Sequence, residues 1–180
     1  AAWASTLLER HGVVARETLS IEALEGGFSS VYTVLKTMEE QGKVRRGYFV
    51  EGLGGAQFAY PGIVDRLRRV RDGEAEGEVV ALAATDPANP FGWLVPWPEL
   101  VEAAGREPTR STGSTVVLVD GAPVLYLDRK GRRLRTFTDA DPDAVRTALP
   151  ALRTLAARHP RRALSLEEVN GEPAFRSALL

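Results

Sequence analysis

Apolar residues in the first seventy positions recur in short blocks with helical spacing, each closed by glycine. Trp3 to Arg10 predicts a helix ended by Gly12. Arg16 to Leu24 predicts a second, with Leu19 and Leu24 facing inward. After Glu25-Gly26-Gly27, Ser29 is suited to N-cap a third helix running to Gln41. In it Val31, Val34, Leu35 and Met38 fall at i, i+3, i+4 and i+7, a single apolar stripe. The opposite face carries Ser30, Tyr32, Thr33, Lys36 and Thr37 and no acid. The period then shortens. Lys43–Val50 and Ala56–Tyr60 read as strands around the glycine-rich Glu51–Gly55, and Ile63–Arg71 as a basic amphipathic helix after Pro61. Three helices followed by a β-hairpin is the order of a winged helix.

The remaining hundred residues are patterned as strands. Glu78–Ala84 predicts one strand, and Thr85–Gly92, with two prolines and a glycine, predicts an irregular loop. Thr115–Val119 and Pro123–Leu127 flank Asp120-Gly121-Ala122, a hairpin signal, and Arg132–Phe137 follows the Arg129-Lys130-Gly131 turn. Asp141-Pro142-Asp143 opens a helix reaching about Arg158, with Val145, Leu149, Leu152 and Leu155 inward and Pro150 bending or splitting it. Ala163–Val169 reads as a last strand before the Asn170-Gly171 turn. The expected fold is α+β: a winged helix over 1–73, then over 74–180 a small β-barrel or curled antiparallel sheet with a packed helix.

Composition narrows the chemistry. The absence of cysteine excludes disulfides and thiolate metal sites, and His11 and His159 are too few for a multi-histidine centre. No apolar run approaches the roughly 20 residues that span a bilayer, so no membrane partner is expected. Both ends read as cuts in a longer polypeptide. A net charge of -1 conceals a basic block: residues 129–162 hold ten basic and three acidic side chains, against two and nine over 74–128. Such a block either faces phosphate or is a solvated surface.

Several residues are candidates for contact with nucleic acid. Ser30, Tyr32 and Lys36 lie on the polar face of the third helix, which in a winged helix enters the major groove. Arg45, Arg46 and Tyr48 supply charge and a stacking face on the hairpin, and Gln57 an amide suited to base edges or to plugging a stack. Of Tyr48 and Phe49, adjacent on a strand, one is expected to be buried. Arg132 and Arg133 represent the basic block. Asp86 and Asn89, in the proline-stiffened loop, are either site residues or bond their own backbone. Trp93, Trp97 and Pro98 either seal a barrel end or offer a stacking surface.

The run Arg46–Ala59, RGYFVEGLGGAQFA, resembles the wing of the Lhr-type superfamily 2 helicases. Ala83–Gly92, AATDPANPFG, resembles that family's C-terminal region, as do the hairpin Val116–Leu127 and LEEVNGE at Leu166–Glu172. The resemblance implies a part of a bacterial, cytoplasmic, nucleoid-associated DNA-repair protein. Its motor translocates on single-stranded or forked DNA, or RNA–DNA hybrids, with ATP and magnesium. This chain has neither a Gly-x-x-x-x-Gly-Lys-[Ser/Thr] loop nor an Asp-Glu-x-His motif, so no cofactor is expected here. The family's C-terminal extension in turn resembles the AlkZ-type DNA glycosylases, which join winged helices to a β-barrel. That parallel implies a second activity, excision of uracil or another damaged base, for which Asp86 is the candidate carboxylate and Asn89 its polar neighbour. The AlkZ-type Gln-x-Gln element is missing, since Gln41 and Gln57 are the only glutamines.

Overall fold

The computed structural model describes residues 2–22, 25–73, 78–101, 107–159 and 162–179. They form two compact units, Ala1–Glu74 and Ala75–Leu180.

In the first unit α1 (Ala2–His11) is followed by β1 (Val13–Val14), a 3-10 helix (Glu17–Ile21), α2 (Gly27–Glu40), β2 (Arg45–Gly47), β3 (Gln57–Ala59) and α3 (Pro61–Arg71). The three strands pair antiparallel in the order β1-β3-β2. The second expected helix is thus a short 3-10 turn, and Leu24 lies outside the described residues. The third helix starts before Ser29, capped by Gly26 at φ +83°, which only glycine adopts readily. Leu7, Leu8, Val14, Leu19, Val31, Leu35, Val44 and Phe58 fill the core. The stripe on α2 faces this core: Val31 and Leu35 are buried, and Val34 and Met38 pack against it half-buried, bordering a surface cavity. Each fully buried Leu or Phe stabilises the unit by about 1.5–3 kcal/mol.

The second unit is a six-stranded sheet in the order β4 (Val79–Ala83), β5 (Thr115–Val119), β6 (Ala122–Leu127), β7 (Arg133–Thr136), β8 (Glu168–Val169) and β9 (Glu172–Pro173). It is not a closed barrel, nor wholly antiparallel, because β8 runs parallel to β7. A parallel neighbour needs a crossover, here α4 (Pro142–Ala148) and α5 (Ala151–Arg158). Pro150 divides them, having no N–H for a continuous helix. Asp141 caps α4 by accepting Asp143 N–H. Val145 and Ala148 of α4 pack with Val117, Val119, Leu125, Leu127 and Leu134. The β5–β6 register shifts between Val117 and Leu118, skipping Val124, so Val124 and Leu125 join the same core although they are adjacent. Tyr126 instead faces Trp97 and Phe137 in a second cluster. Only two residues of the expected last strand, Glu168 and Val169, are extended in the sheet.

Candidate nucleic-acid interface

The wing, residues 48–56, follows from one side chain. Gln57 in β3 is fully buried, and its Oε1 accepts the N–H groups of Phe49 (2.8 Å) and Val50 (2.9 Å). Its Nε2 donates to Val50 O (2.9 Å), Leu53 O (3.2 Å) and Gly54 O (3.4 Å). All four hydrogen-bonding positions of the amide are thereby directed into the loop. The expectation that Gln57 reads bases is corrected: it is a staple that never reaches solvent. From the 3-10 helix, Glu17 Oε1 accepts Gly54 N–H at 3.2 Å and holds the tip from the other side.

Packing sorts the aromatic pair on this stiff loop. Phe49 is half-buried beside Val13, Ala59 and Val64, whereas Tyr48 is 84 % exposed. A Cβ placed on Gly55 would come within 3.4 Å of Tyr48 Oη, so the ring lies along bare backbone. Arg45 and Arg46 flank it on β2, exposed, with Arg45 3.6 Å from Asp65 and Arg46 3.1 Å from Glu39. Exposed pairs of this kind contribute little and exchange readily for phosphate. On α2, Ser30 and Lys36 are exposed, Ser30 Oγ donating to Gly27 O. Tyr32 departs from expectation: it is half-buried, its ring 5.7 Å from Phe28 and 5.8 Å from Phe58. It packs the core rather than the helix's outer face.

In the second unit the 84–93 loop also closes on a buried amide. Asn89 is fully buried, its Nδ2 donating to Ala84 O (2.9 Å) while Oδ1 accepts Phe91 N–H (3.2 Å). This corrects its assignment as a site group beside Asp86, because its amide faces the loop interior. Asp86 is half-buried and its Oδ1 accepts Ala88 N–H at 2.8 Å. A residue not singled out in the sequence, Arg110, gathers this loop. Its guanidinium donates to Asn89 O (2.7 Å), Thr85 O (3.2 Å) and Asp86 O (3.4 Å), and lies 5.7 Å over the Trp93 ring. Burial pulls Arg110 below the usual arginine range, and the Asp86 carboxylate pulls it back. Trp93 Nε1 donates to Asn89 O at 2.6 Å. Trp97 lies between Phe91 and Phe137, both stacked on it, with Tyr126 edge-on. Of the two uses open to the tryptophans, Trp97 serves to cover the sheet.

Arg132 and Arg133 are exposed on β7 and its approach, paired with Glu167 at 2.9 Å and Glu168 at 3.5 Å. They border a cleft of about 540 Å³ together with Arg129 and Lys130.

A three-stranded sheet with a protruding loop against a helical core defines the first unit as a winged-helix module, a class built to meet nucleic acid or protein. Residues 1–79 match the family model for the winged-helix domain of large helicase-related protein. Over 172 residues, 93 % of the chain, it is 46 % identical to a protein of Mycolicibacterium smegmatis named Lhr helicase/probable uracil glycosylase. Over 175 residues, 96 % of the chain, it is 39 % identical to the Lhr helicase/uracil glycosylase of Escherichia coli. The chain belongs to the Lhr family. It spans 11 % of the length of each of these relatives. Among the described residues no helix is long and apolar enough to cross a membrane.

Proposed function

We propose that this chain is a nucleic-acid-binding accessory region of an Lhr-type ATP-dependent helicase, holding DNA for the motor during repair in the bacterial cytoplasm. Its partners are single-stranded or forked DNA, or an RNA–DNA hybrid, and the rest of the helicase polypeptide. ATP and magnesium belong to the motor, and this region takes no cofactor. The observation that carries the reading is Tyr48, 84 % exposed on a loop immobilised by Gln57. A large ring held in water is a poor use of area for folding and a good one for stacking a base. Arg45 and Arg46 then meet the adjoining phosphates, while Ser30 and Lys36 offer further contacts from α2. Replacing Tyr48 by Ala is expected to weaken binding of a labelled single strand by about 1–3 kcal/mol, the usual worth of one stacked base. Its thermal stability stays unchanged. Binding as tight as that of the parent chain would remove the wing from the interface.

The names of both relatives include uracil glycosylase, which favours a second reading, base excision with Asp86 as the carboxylate. In that reaction the N-glycosidic bond breaks, water adds at the sugar carbon, and free base and an abasic site result. A carboxylate beside the sugar steadies the developing cation and orients that water. Asp86 is half-buried with Oδ1 already bonded to Ala88 N–H, and the Arg110 guanidinium donates to its backbone carbonyl at 3.4 Å. Alkali-labile breaks at uracil in a labelled strand, abolished by Asp86→Asn, are the expected signature. Undiminished cleavage by that variant would exclude Asp86.

A further inference from the structure

The cleft beside Arg132 and Arg133 has a construction of its own. One wall is a loop of hydroxyls: Ser111 Oγ lies 2.8 Å from Ser114 Oγ, and the Tyr126 hydroxyl lies 3.0 Å from Ser114 Oγ and accepts Thr109 N–H at 3.2 Å. Ser114 and Tyr126 are 1 % and 5 % exposed, so this wall is fixed. The facing wall is the β6–β7 turn, closed by the Gly131 N–H bond to Asp128 O and by Gly131 at φ +65°. Four cations, Arg129, Lys130, Arg132 and Arg133, share the lining with two carboxylates, Asp128 and Glu167.

Both carboxylates are occupied. Asp128 Oδ1 accepts the N–H groups of Arg132 (2.9 Å) and Arg133 (3.2 Å), and Glu167 is paired with Arg132. Arg133 in turn leans on Glu168. Arg129 and Lys130, exposed at the tip of the turn, form no ion pair recorded among the described residues. The lining is therefore two uncommitted cations opposite rotatable hydroxyls, with no exposed aromatic face for a base. That is a set of donors for singly charged oxygens rather than for a ring. A volume of about 540 Å³ exceeds what one small anion fills and suits a stretch of chain.

We propose that this cleft seats backbone phosphodiesters of a nucleic-acid strand, with Arg129 and Lys130 as the phosphate contacts and the Ser111 hydroxyl as a neutral donor. This rests on the nucleic-acid reading above and adds a second contact point, one that reads backbone and not sequence. The test measures binding of a single-stranded oligonucleotide lacking terminal phosphates, across a range of salt, to the parent chain, Arg129→Ala/Lys130→Ala, Tyr48→Ala, and Arg153→Ala/Arg158→Ala. The last removes the same charge from α5. Loss of two single-strand contacts is expected to lower affinity on the order of tenfold and to flatten the slope of log affinity against log salt by about 1.4. The α5 pair is expected to change affinity less than about twofold, by long-range screening alone. Equal losses in the two double variants would overturn the cleft while leaving the wing standing. A full effect at Arg129 and Lys130 with none at Tyr48 would support the cleft and overturn the wing. A parent chain that binds no oligonucleotide overturns both.

Discussion

The wing and the 84–93 loop are two answers to one problem. Each is an irregular segment whose backbone groups are satisfied by a buried carboxamide, Gln57 in one and Asn89 in the other. They differ in what becomes of their large side chains. In the first unit three helices already cover the small sheet, so Phe49 and Leu53 suffice to plug the wing and Tyr48 is left in water. In the second, α4 packs on the sheet side opposite Tyr126, and Phe91 and Trp97 fold onto the Tyr126 side. The same stapling chemistry yields a presented surface or a cover, depending on whether apolar area elsewhere still needs burial.

Substitutions at the staples and their neighbours probe this contrast directly. The largest effect is expected from Gly92→Ala, whose Cβ at φ +79° would run into Trp97 Nε1 and displace the ring from its stack. Strain and overpacking together should cost about 4 kcal/mol, with a red-shifted tryptophan emission. Gln57→Ala removes five hydrogen bonds from the wing and should destabilise the first unit by about 3 kcal/mol in denaturant titrations. It should also release Tyr48, so that stacking affinity falls although no contacting atom has changed. Asn89→Ala is milder, about 2 kcal/mol, because Arg110 still binds the Asn89 carbonyl. Equal costs at Gln57 and Asn89 would erase the distinction between a loop held by one residue and a loop held by two.

The smallest effect separates the units by pH. Hydrogen bonds from His11 Nε2 and from Arg10 hold the Glu22 carboxyl below its ordinary 4.5. A lowered folded-state value makes this contribution complete above about pH 4.5 and removes it as pH falls through the folded value. The first unit should therefore lose stability in acid, by about 1 kcal/mol. Glu22→Gln should flatten that pH dependence without touching the sheet unit. An unaltered profile in the variant would assign the acid response elsewhere.

Much of the architecture was legible because periodicity reports burial. The spacing of Val31 and Leu35, the turn at Asp120-Gly121 and the break at Pro150 all have local causes. Tyr32 misled because its place on α2 depends on Phe28 and Phe58, one of them distant in sequence. Gln57 reads as an amide for bases, and Asn89 as either a site group or a bond to its own backbone, since a sequence displays donors and acceptors but not their partners. Arg110 carries no signal in the sequence: an arginine in an acidic stretch becomes a hub only once three carbonyls from residues 85–89 converge on it. Nor does alternation along a strand record the direction of its neighbour, so the parallel pairing of β8 is not legible in the sequence.

That parallel step has a kinetic consequence. Strands β5, β6 and β7 are joined by short turns and can zip together locally, whereas β8 waits for residues 137–167 to close a long loop against the sheet. The entropy of that closure is lost before any of its hydrogen bonds form, which places the β8–β9 hairpin after the β5–β7 meander in assembly. By the same reasoning it opens more readily than the meander, and its amides should exchange with solvent ahead of those in the β5–β6 ladder.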